Sequence, residues 1–278
     1  MIPTMIRTQT IPSAWFELVY GLMKGDVPHS TYTIDRGSYV GQKRLEYDYV
    51  TVCIDHPGSR PLIPDIPAGL GIPAPVESME YVENYFAQYL MNPELEPNET
   101  YKYATWIAPG VERVIEQLKG SPGNNQACIS IGGWAPWNHP MEEAFFHPDG
   151  KKWQKEIIDK KPAACTDTDN FIDPATGQRD PACLRMLDFR LDQQNTLHMI
   201  VYFRSWDLWG GFAANLSGMQ LVKEYVAESI GAEDGKIIAS SKGLHLYSYC
   251  IDVAATRVGM TGVGTMDDLM GWWEKERK

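Results

Sequence analysis

The sequence predicts an α+β chain, and three observations carry that prediction. Segments with apolar residues at i, i+3, i+4 and i+7 read as helices facing a core. Segments that alternate and are rich in Tyr and Val read as strands. The stretch "LRMLDFRLDQQNTLHMIVYF" sets two apolar runs about a polar centre, the pattern of a β-hairpin.

Taken in order, Ser13 is placed to cap a helix over 14–24, "AWFELVYGLMK", and Gly25 to stop it. "RGSYVGQKRLEYDYVTVCI" reads as strands and opens on Arg36-Gly37-Ser38, a turn with one positive charge. Residues 57–76 are rich in proline and glycine and form a connector. "ESMEYVENYFAQYLM", residues 77–91, reads as a helix. A second helix is expected at 110–119, where Val111, Val114, Ile115 and Leu118 make an apolar stripe. "QACISIGGW" reads as a strand ending in a glycine pair. Residues 138–180 are polar and rich in Pro, Asp and Lys. They predict a loop-rich insertion in what is otherwise one domain over 1–278.

The hairpin runs are 184–191 and 197–203. Centred on Gln194, their pairing sets Cys183 beside Ser205 and brings the thiol to the sheet end that carries Arg204. A cationic neighbour favours thiolate over thiol. After the tight loop at Gly210-Gly211, a helix is expected from Asn215 to Ile230, ending at Gly231. Met219, Val222, Val226 and Ile230 would form its buried face. "LHLYSYC" alternates, putting His245, Tyr247 and Tyr249 on one face and Leu244 and Leu246 on the other. "MDDLMGWWEKERK" reads as a helix or a frayed tail.

The net charge of −11 argues against a general nucleic-acid surface, while leaving room for a small anion held by local arginines. No apolar run is long enough to span a bilayer, and the first residues lack the pattern of a secretion signal, so a cytoplasmic protein is the default. Five scattered cysteines with no CxxC pair fit neither a disulfide framework nor a zinc ribbon. Cys53, Cys128 and Cys250 read as small buried hydrophobes, and Cys165 as a loop thiol. The spacing of His139, His147 and Cys165 fits no ligand set, so no metal is expected.

A thiol, an Arg-Ser pair, an Asp, an Asn after a glycine loop and a His-x-Tyr strand follow in that order. "DPACL", "RSWDLWGGFAANLSG" and "KGLHLY" resemble three motifs of the thymidylate synthase family. These are its Pro-Cys nucleophile site, its Arg-Ser-x-Asp-x-x-x-Gly-x-x-x-Asn stretch and its His-x-Tyr strand. The resemblance is closest over 181–250, looser over 30–135 and absent over 138–180; its wording is nearest the archaeal, methanogen-type branch.

The resemblance implies a large mixed β-sheet with flanking helices and a homodimer joined through its sheets. It implies that Cys183 attacks carbon 6 of a pyrimidine nucleoside monophosphate and makes carbon 5 nucleophilic. Arg204 and Ser205 would hold the 5′-phosphate, with Arg36 a second clamp. Asn215 would read the base edge, and His245 and Tyr247 would hold the sugar hydroxyl. Asp207, with Gly211, would contact the folate or pterin ring. Glu83, with Glu80 its rival, would organise water and proton transfer, and Tyr101 or Tyr103 would be the active-site tyrosine. The one-carbon donor would be a methylene-tetrahydrofolate or a methylene-tetrahydromethanopterin, with no membrane or specific nucleic acid as partner.

Three departures stand out. Where the family has an arginine pair lent by the other subunit to the phosphate, this chain has the neutral amides Asn125 and Gln126. Leu184 follows the nucleophile where bacterial members have His, and the apolar C-terminal tail is replaced by "WWEKERK". The same residues also have plainer readings. Asp207 suits a turn or cap, Asn215 a helix cap, His245 and Tyr247 core packing, and Glu83 a solvated helix face. The implied activity is conversion of dUMP to dTMP. Hydroxymethylation of dCMP, CMP or dUMP, and non-catalytic nucleotide binding, are the alternatives.

Overall fold

In a computed structural model, the described residues are 1–35, 39–95, 101–132 and 182–276. Arg36 and the insertion expected at 138–180 lie outside them. The described residues of 1–131 and 183–278 form one compact unit.

The α+β expectation holds, with two mixed sheets rather than one. Strands β1 (Pro3–Thr8), β4 (Tyr49–Ile54), β5 (Cys128–Ser130), β6 (Leu184–Leu191), β7 (Thr196–Phe203) and β9 (Glu233–Ser241) form a six-stranded sheet in the order β1-β4-β9-β7-β6-β5. Within it β1 runs parallel to β4 and β7 parallel to β9, while the other pairs are antiparallel. Strands β2 (His29–Thr33), β3 (Lys43–Tyr47), β8 (Trp206–Asp207) and β10 (Leu244–Tyr247) form a second sheet, ordered β2-β3-β10-β8.

Helix α1 spans Ile11–Lys24. Thr10 rather than Ser13 caps it, its hydroxyl accepting the Ser13 N–H at 3.2 Å, and Pro12 fits the first turn because no partner is needed for its missing N–H. Gly25 ends it in the left-handed region at φ 69°. The helix expected at 77–91 is α2 (Met79–Tyr85), capped by Ser78 and continued by a π-helical turn, Phe86–Met91. The helix expected at 110–119 is α3 (Ala104–Gly120), which begins earlier and takes Pro109 into its body. Helix α4 (Gly211–Ile230) starts one turn before Asn215, so Asn215 is not its cap. Helices α5 (Ile251–Arg257) and α6 (Met266–Glu276) complete the chain.

The hairpin forms as the pattern requires, with Leu191 opposite Leu197 and Met186 opposite Tyr202. Asp192 holds the turn by accepting the N–H groups of Gln194 and Thr196, both at 2.9 Å, and Asn195 takes the left-handed conformation at φ 60°. One detail corrects the symmetric expectation. A bulge between Leu184 and Met186 slips the register by one residue, so Cys183 faces Arg204, whose N–H donates to the Cys183 carbonyl at 2.9 Å, and not Ser205.

The two faces of the large sheet differ. Val50, Val52, Leu187, Phe189, Met199, Val201, Ile237 and Ala239 share one face and are buried. On the other face, two rows of neighbours cross the strands: Thr51, Ser240, Tyr202 and Met186, then Cys53, Ile238, Ile200, Asp188 and Cys128. Every member of both rows is only half-buried.

Candidate active site

Between β7 and β8 the chain leaves the large sheet for the small one, and Arg204-Ser205 form the crossing. Gly243 permits it, since a Cβ there would lie 2.9 Å from the Arg204 carbonyl oxygen and 3.3 Å from the Ser205 Cα. The Trp206 N–H donates to the Gly243 carbonyl at 2.8 Å, which seats β8 parallel to β10 with Asp207 opposite His245. Cys183 pairs with Arg204 from the other side. The crossing thus gathers the thiol, the Arg-Ser pair, the Asp and the His-x-Tyr strand.

Cys183 is half-buried. The hydroxyl of Tyr103 accepts the N–H of Leu184, the next residue, at 3.3 Å. Burial pushes the Tyr103 hydroxyl well above its usual range, and the charges of Tyr101, Tyr85 and Cys183 add to this. Burial likewise raises Tyr247 to about 12, with Asp207, Tyr39 and Cys183 contributing. Two tyrosines therefore stand within electrostatic reach of the thiol. Of the two candidates on that segment, Tyr103 touches the strand that follows Cys183; Tyr101 packs against the Tyr103 ring at 5.8 Å.

Asp207 accepts three backbone N–H groups: Trp209 at 3.1 Å, Gly210 at 3.2 Å and Gly211 at 3.1 Å. It closes the glycine loop and serves the N–H groups at the start of α4, as its plainer reading anticipates. Burial raises its pKa against the opposing pull of those bonds.

His245 is 1% exposed. Its Nδ1 lies 2.8 Å from the Gly243 carbonyl, an obligate acceptor, so Nδ1 carries the proton and Nε2 is an acceptor. Nε2 is buried and has no hydrogen-bond partner among the described residues. Burial lowers the ring to about 4, keeping it neutral near pH 7. Such a nitrogen suits a ligand hydroxyl. Tyr247 meets the imidazole edge-on at 4.5 Å. It also packs on Tyr39 at 4.5 Å and on Tyr249 at 5.5 Å. Tyr249 reaches it from a 3₁₀ turn, Ser248–Cys250, and not from the strand face that alternation suggested.

Asn215 sits in the second turn of α4. Its Oδ1 accepts the Trp206 indole N–H at 3.0 Å, and its Nδ2 donates to the Tyr85 hydroxyl at 2.8 Å. Trp206 is itself held between Phe203, stacked at 4.1 Å, and Phe212 at 4.6 Å. Tyr85 can approach α4 because Gly218 has no side chain, a Cβ there falling 2.6 Å from its ring.

Not every expected residue joins this group. Glu83 and Glu80 are exposed on α2, and Glu83 adds its charge to the environment of Arg60. The residue α2 sends to the site is Tyr85. Asn125 and Gln126 are exposed beside β5, and the Asn125 Oδ1 accepts from Arg190 at 3.2 Å. Arg190 is at the turn end of β6, about 24 Å along the strand from Cys183. The reading from sequence passed over Tyr85, Trp206 and Gly218; the repeat of small and polar residues at Asn215 and Gly218, one turn apart, was the available signal.

Among the described residues no cluster of His, Cys, Asp and Glu could hold a metal, and no helix is long and apolar enough to cross a membrane. A thymidylate synthase family model matches residues 172–261. A protein described as "Putative thymidylate synthase" in Methanosarcina mazei is 37% identical over 257 residues, covering 91% of this chain and 93% of its own. One so described in Methanopyrus kandleri is 22% identical over 249 residues, covering 88% and 93%. Among solved structures, thermostable thymidylate synthase A from Bacillus subtilis aligns with a TM-score of 0.48 at 12% identity, over 90% of this chain and 84% of that one. Because the Methanosarcina mazei relative is matched along nearly the whole length of both chains, this chain belongs to the thymidylate synthase family.

Proposed function

We propose that this protein transfers a one-carbon unit to carbon 5 of a pyrimidine nucleoside monophosphate, converting dUMP to dTMP through a covalent Cys183 adduct. The supporting observation is the convergence of Cys183, Arg204, Ser205, Asp207 and His245 at one sheet crossing. The thiolate adds to carbon 6, and the displaced electron pair makes carbon 5 a nucleophile. Carbon 5 takes the methylene carbon from a reduced folate-type donor and loses its proton as the carbon–nitrogen bond to the donor breaks. A hydride from the tetrahydro ring then reduces the exocyclic methylene to methyl and expels the thiolate. The donor supplies both electrons and leaves as its dihydro form.

Arg204 and Ser205 hold the phosphate, joined by Arg36. The His245 Nε2 accepts a sugar hydroxyl beside Tyr247, and Asn215 reads the base. Asp207, at the Gly211 end of α4, faces the donor ring, and Tyr103 stands beside the thiol for proton transfer in place of Tyr101. Glu83, exposed on α2, has no part in this reading. A second copy docks on the half-buried face of the large sheet, and Asn125 and Gln126 serve that copy.

Product mass tests the reading. The protein is incubated with dUMP, dCMP and CMP, each with methylene-tetrahydrofolate or its methanopterin analogue. A methyl product from dUMP, lost in Cys183→Ser, is the expected result and identifies the carrier. A hydroxymethyl product reassigns the protein within its superfamily. Absence of any product and of hydrogen exchange at carbon 5 overturns the role of Cys183.

A further inference from the structure

An amide that reads a base must present a donor and an acceptor in a fixed order. Uracil offers an acceptor at position 4 and a donor at N3, whereas cytosine offers a donor and then an acceptor. The two edges are mirror images, so an Asn that flips serves either. Asn215 is not in that position. The indole N–H of Trp206 is a donor only, so the Asn215 atom 3.0 Å away must be Oδ1. That leaves Nδ2 toward the Tyr85 hydroxyl at 2.8 Å, which accepts from it. Trp206 is 3% exposed and clamped between Phe203 and Phe212, so the indole cannot turn aside. Tyr85 is seated against Gly218 and stacked on Tyr89 at 5.3 Å. Flipping the amide would set its NH₂ against the indole N–H and leave a buried donor unpaired. Each amide atom still has one unused valence, a lone pair on Oδ1 and a hydrogen on Nδ2, with which to meet a ligand.

We propose that Trp206 is a positioning residue that locks the Asn215 amide in one orientation, with Tyr85 bracing the amide from its other side, and that this lock selects uracil over cytosine nucleotides. The inference rests on the pyrimidine-nucleotide reading above and deepens it by naming what sets the base preference.

Calorimetric titration of the whole chain with dUMP and with dCMP tests it, alongside Trp206→Phe and Tyr85→Phe. Trp206→Phe keeps an aromatic ring in the stack while removing the donor and part of the indole's bulk; Tyr85→Phe removes one oxygen, which serves the amide in either orientation. The wild type should prefer dUMP by roughly tenfold or more; Trp206→Phe should shrink that ratio toward unity, chiefly by binding dCMP better, and Tyr85→Phe should keep it. A general loss of structure would weaken both ligands together and leave the ratio standing. Circular dichroism of both variants checks that they fold, and the wild-type ratio carries the test if Trp206→Phe does not fold. An unchanged ratio in folded Trp206→Phe overturns the lock and leaves the nucleotide reading intact. A wild type that binds both nucleotides equally also overturns the lock. A wild type that binds neither overturns the nucleotide reading, and the lock with it.

Discussion

His245 couples one side chain to the stability of the whole fold. Burial holds its pKa at about 4, against 6.5 for a solvated ring. Between those values the unfolded chain binds a proton that the folded chain refuses. Stability is therefore complete above about pH 6.5 and falls as the pH drops toward 4, by about 3 kcal/mol in all. Chemical denaturation between about pH 7 and 5 should show this slope, and His245→Gln should flatten it; equal stability across that range in the wild type would mean a solvated ring. Asp207 bears on stability through its acceptors, since it holds the N–H groups of Trp209, Gly210 and Gly211. Asp207→Ala should lower the unfolding free energy by about 1–2 kcal/mol as a lost cap, besides any loss of turnover. A variant as stable as the wild type would show that water replaces the carboxylate at no cost.

At the scale of elements, α4 carries Asn215 toward the site and its own bulk toward the sheet. It packs closely on α2 and the π-helical turn at Gly218, where a Cβ would meet the Tyr85 ring at 2.6 Å and Leu90 at 2.9 Å. Gly218→Ala should force the two elements apart, costing about 1–3 kcal/mol by overpacking. It should also weaken nucleotide binding, because Tyr85 and Asn215 share a hydrogen bond. Thermal melting and the dUMP titration read these separately, and loss of stability with unchanged affinity would place Tyr85 outside the binding site. The bulge in β6 is the other decisive local feature. By adding a residue before Met186 it changes which residue of the crossing Cys183 faces.

For the molecule as a whole, the six-stranded sheet has one buried face and one only half-buried among the described residues. Ile200 and Ile238 are paired neighbours near its centre. A second copy on this face would bring the exposed Asn125 and Gln126 of one chain to the other. Sedimentation should therefore show twice the 31.4 kDa chain mass. Ile200→Glu with Ile238→Glu should give a folded species of one chain, since two carboxylates cannot be buried unpaired in such an interface. An unchanged mass would move the contact elsewhere.

The sequence by itself determined the α+β class, the hairpin and its turn, and most helices. It also pointed to candidate site residues, because periodicity, caps and motif order are local properties. The meeting of Cys183 with Arg204 was legible in that way, and so was the helix end at Gly25, because a glycine takes the left-handed backbone freely. The tertiary structure decided what depends on contacts far apart in the chain. Strands β1, β2, β8 and β9 are too short or too polar in pattern to stand out, and only pairing with distant partners makes them strands. Alternation at 244–250 could not show that the strand ends at Tyr247. The family resemblance pointed to Glu83, yet the phase of α2 turns Tyr85 inward and leaves Glu83 exposed. That Asn215 is not a helix cap was likewise decided by the tertiary structure, where its amide meets an indole N–H nine residues earlier in the chain and a phenol 130 residues away. An amide's orientation is set by the donors and acceptors packed around it, and those are assembled only when the sheets and helices close on one another.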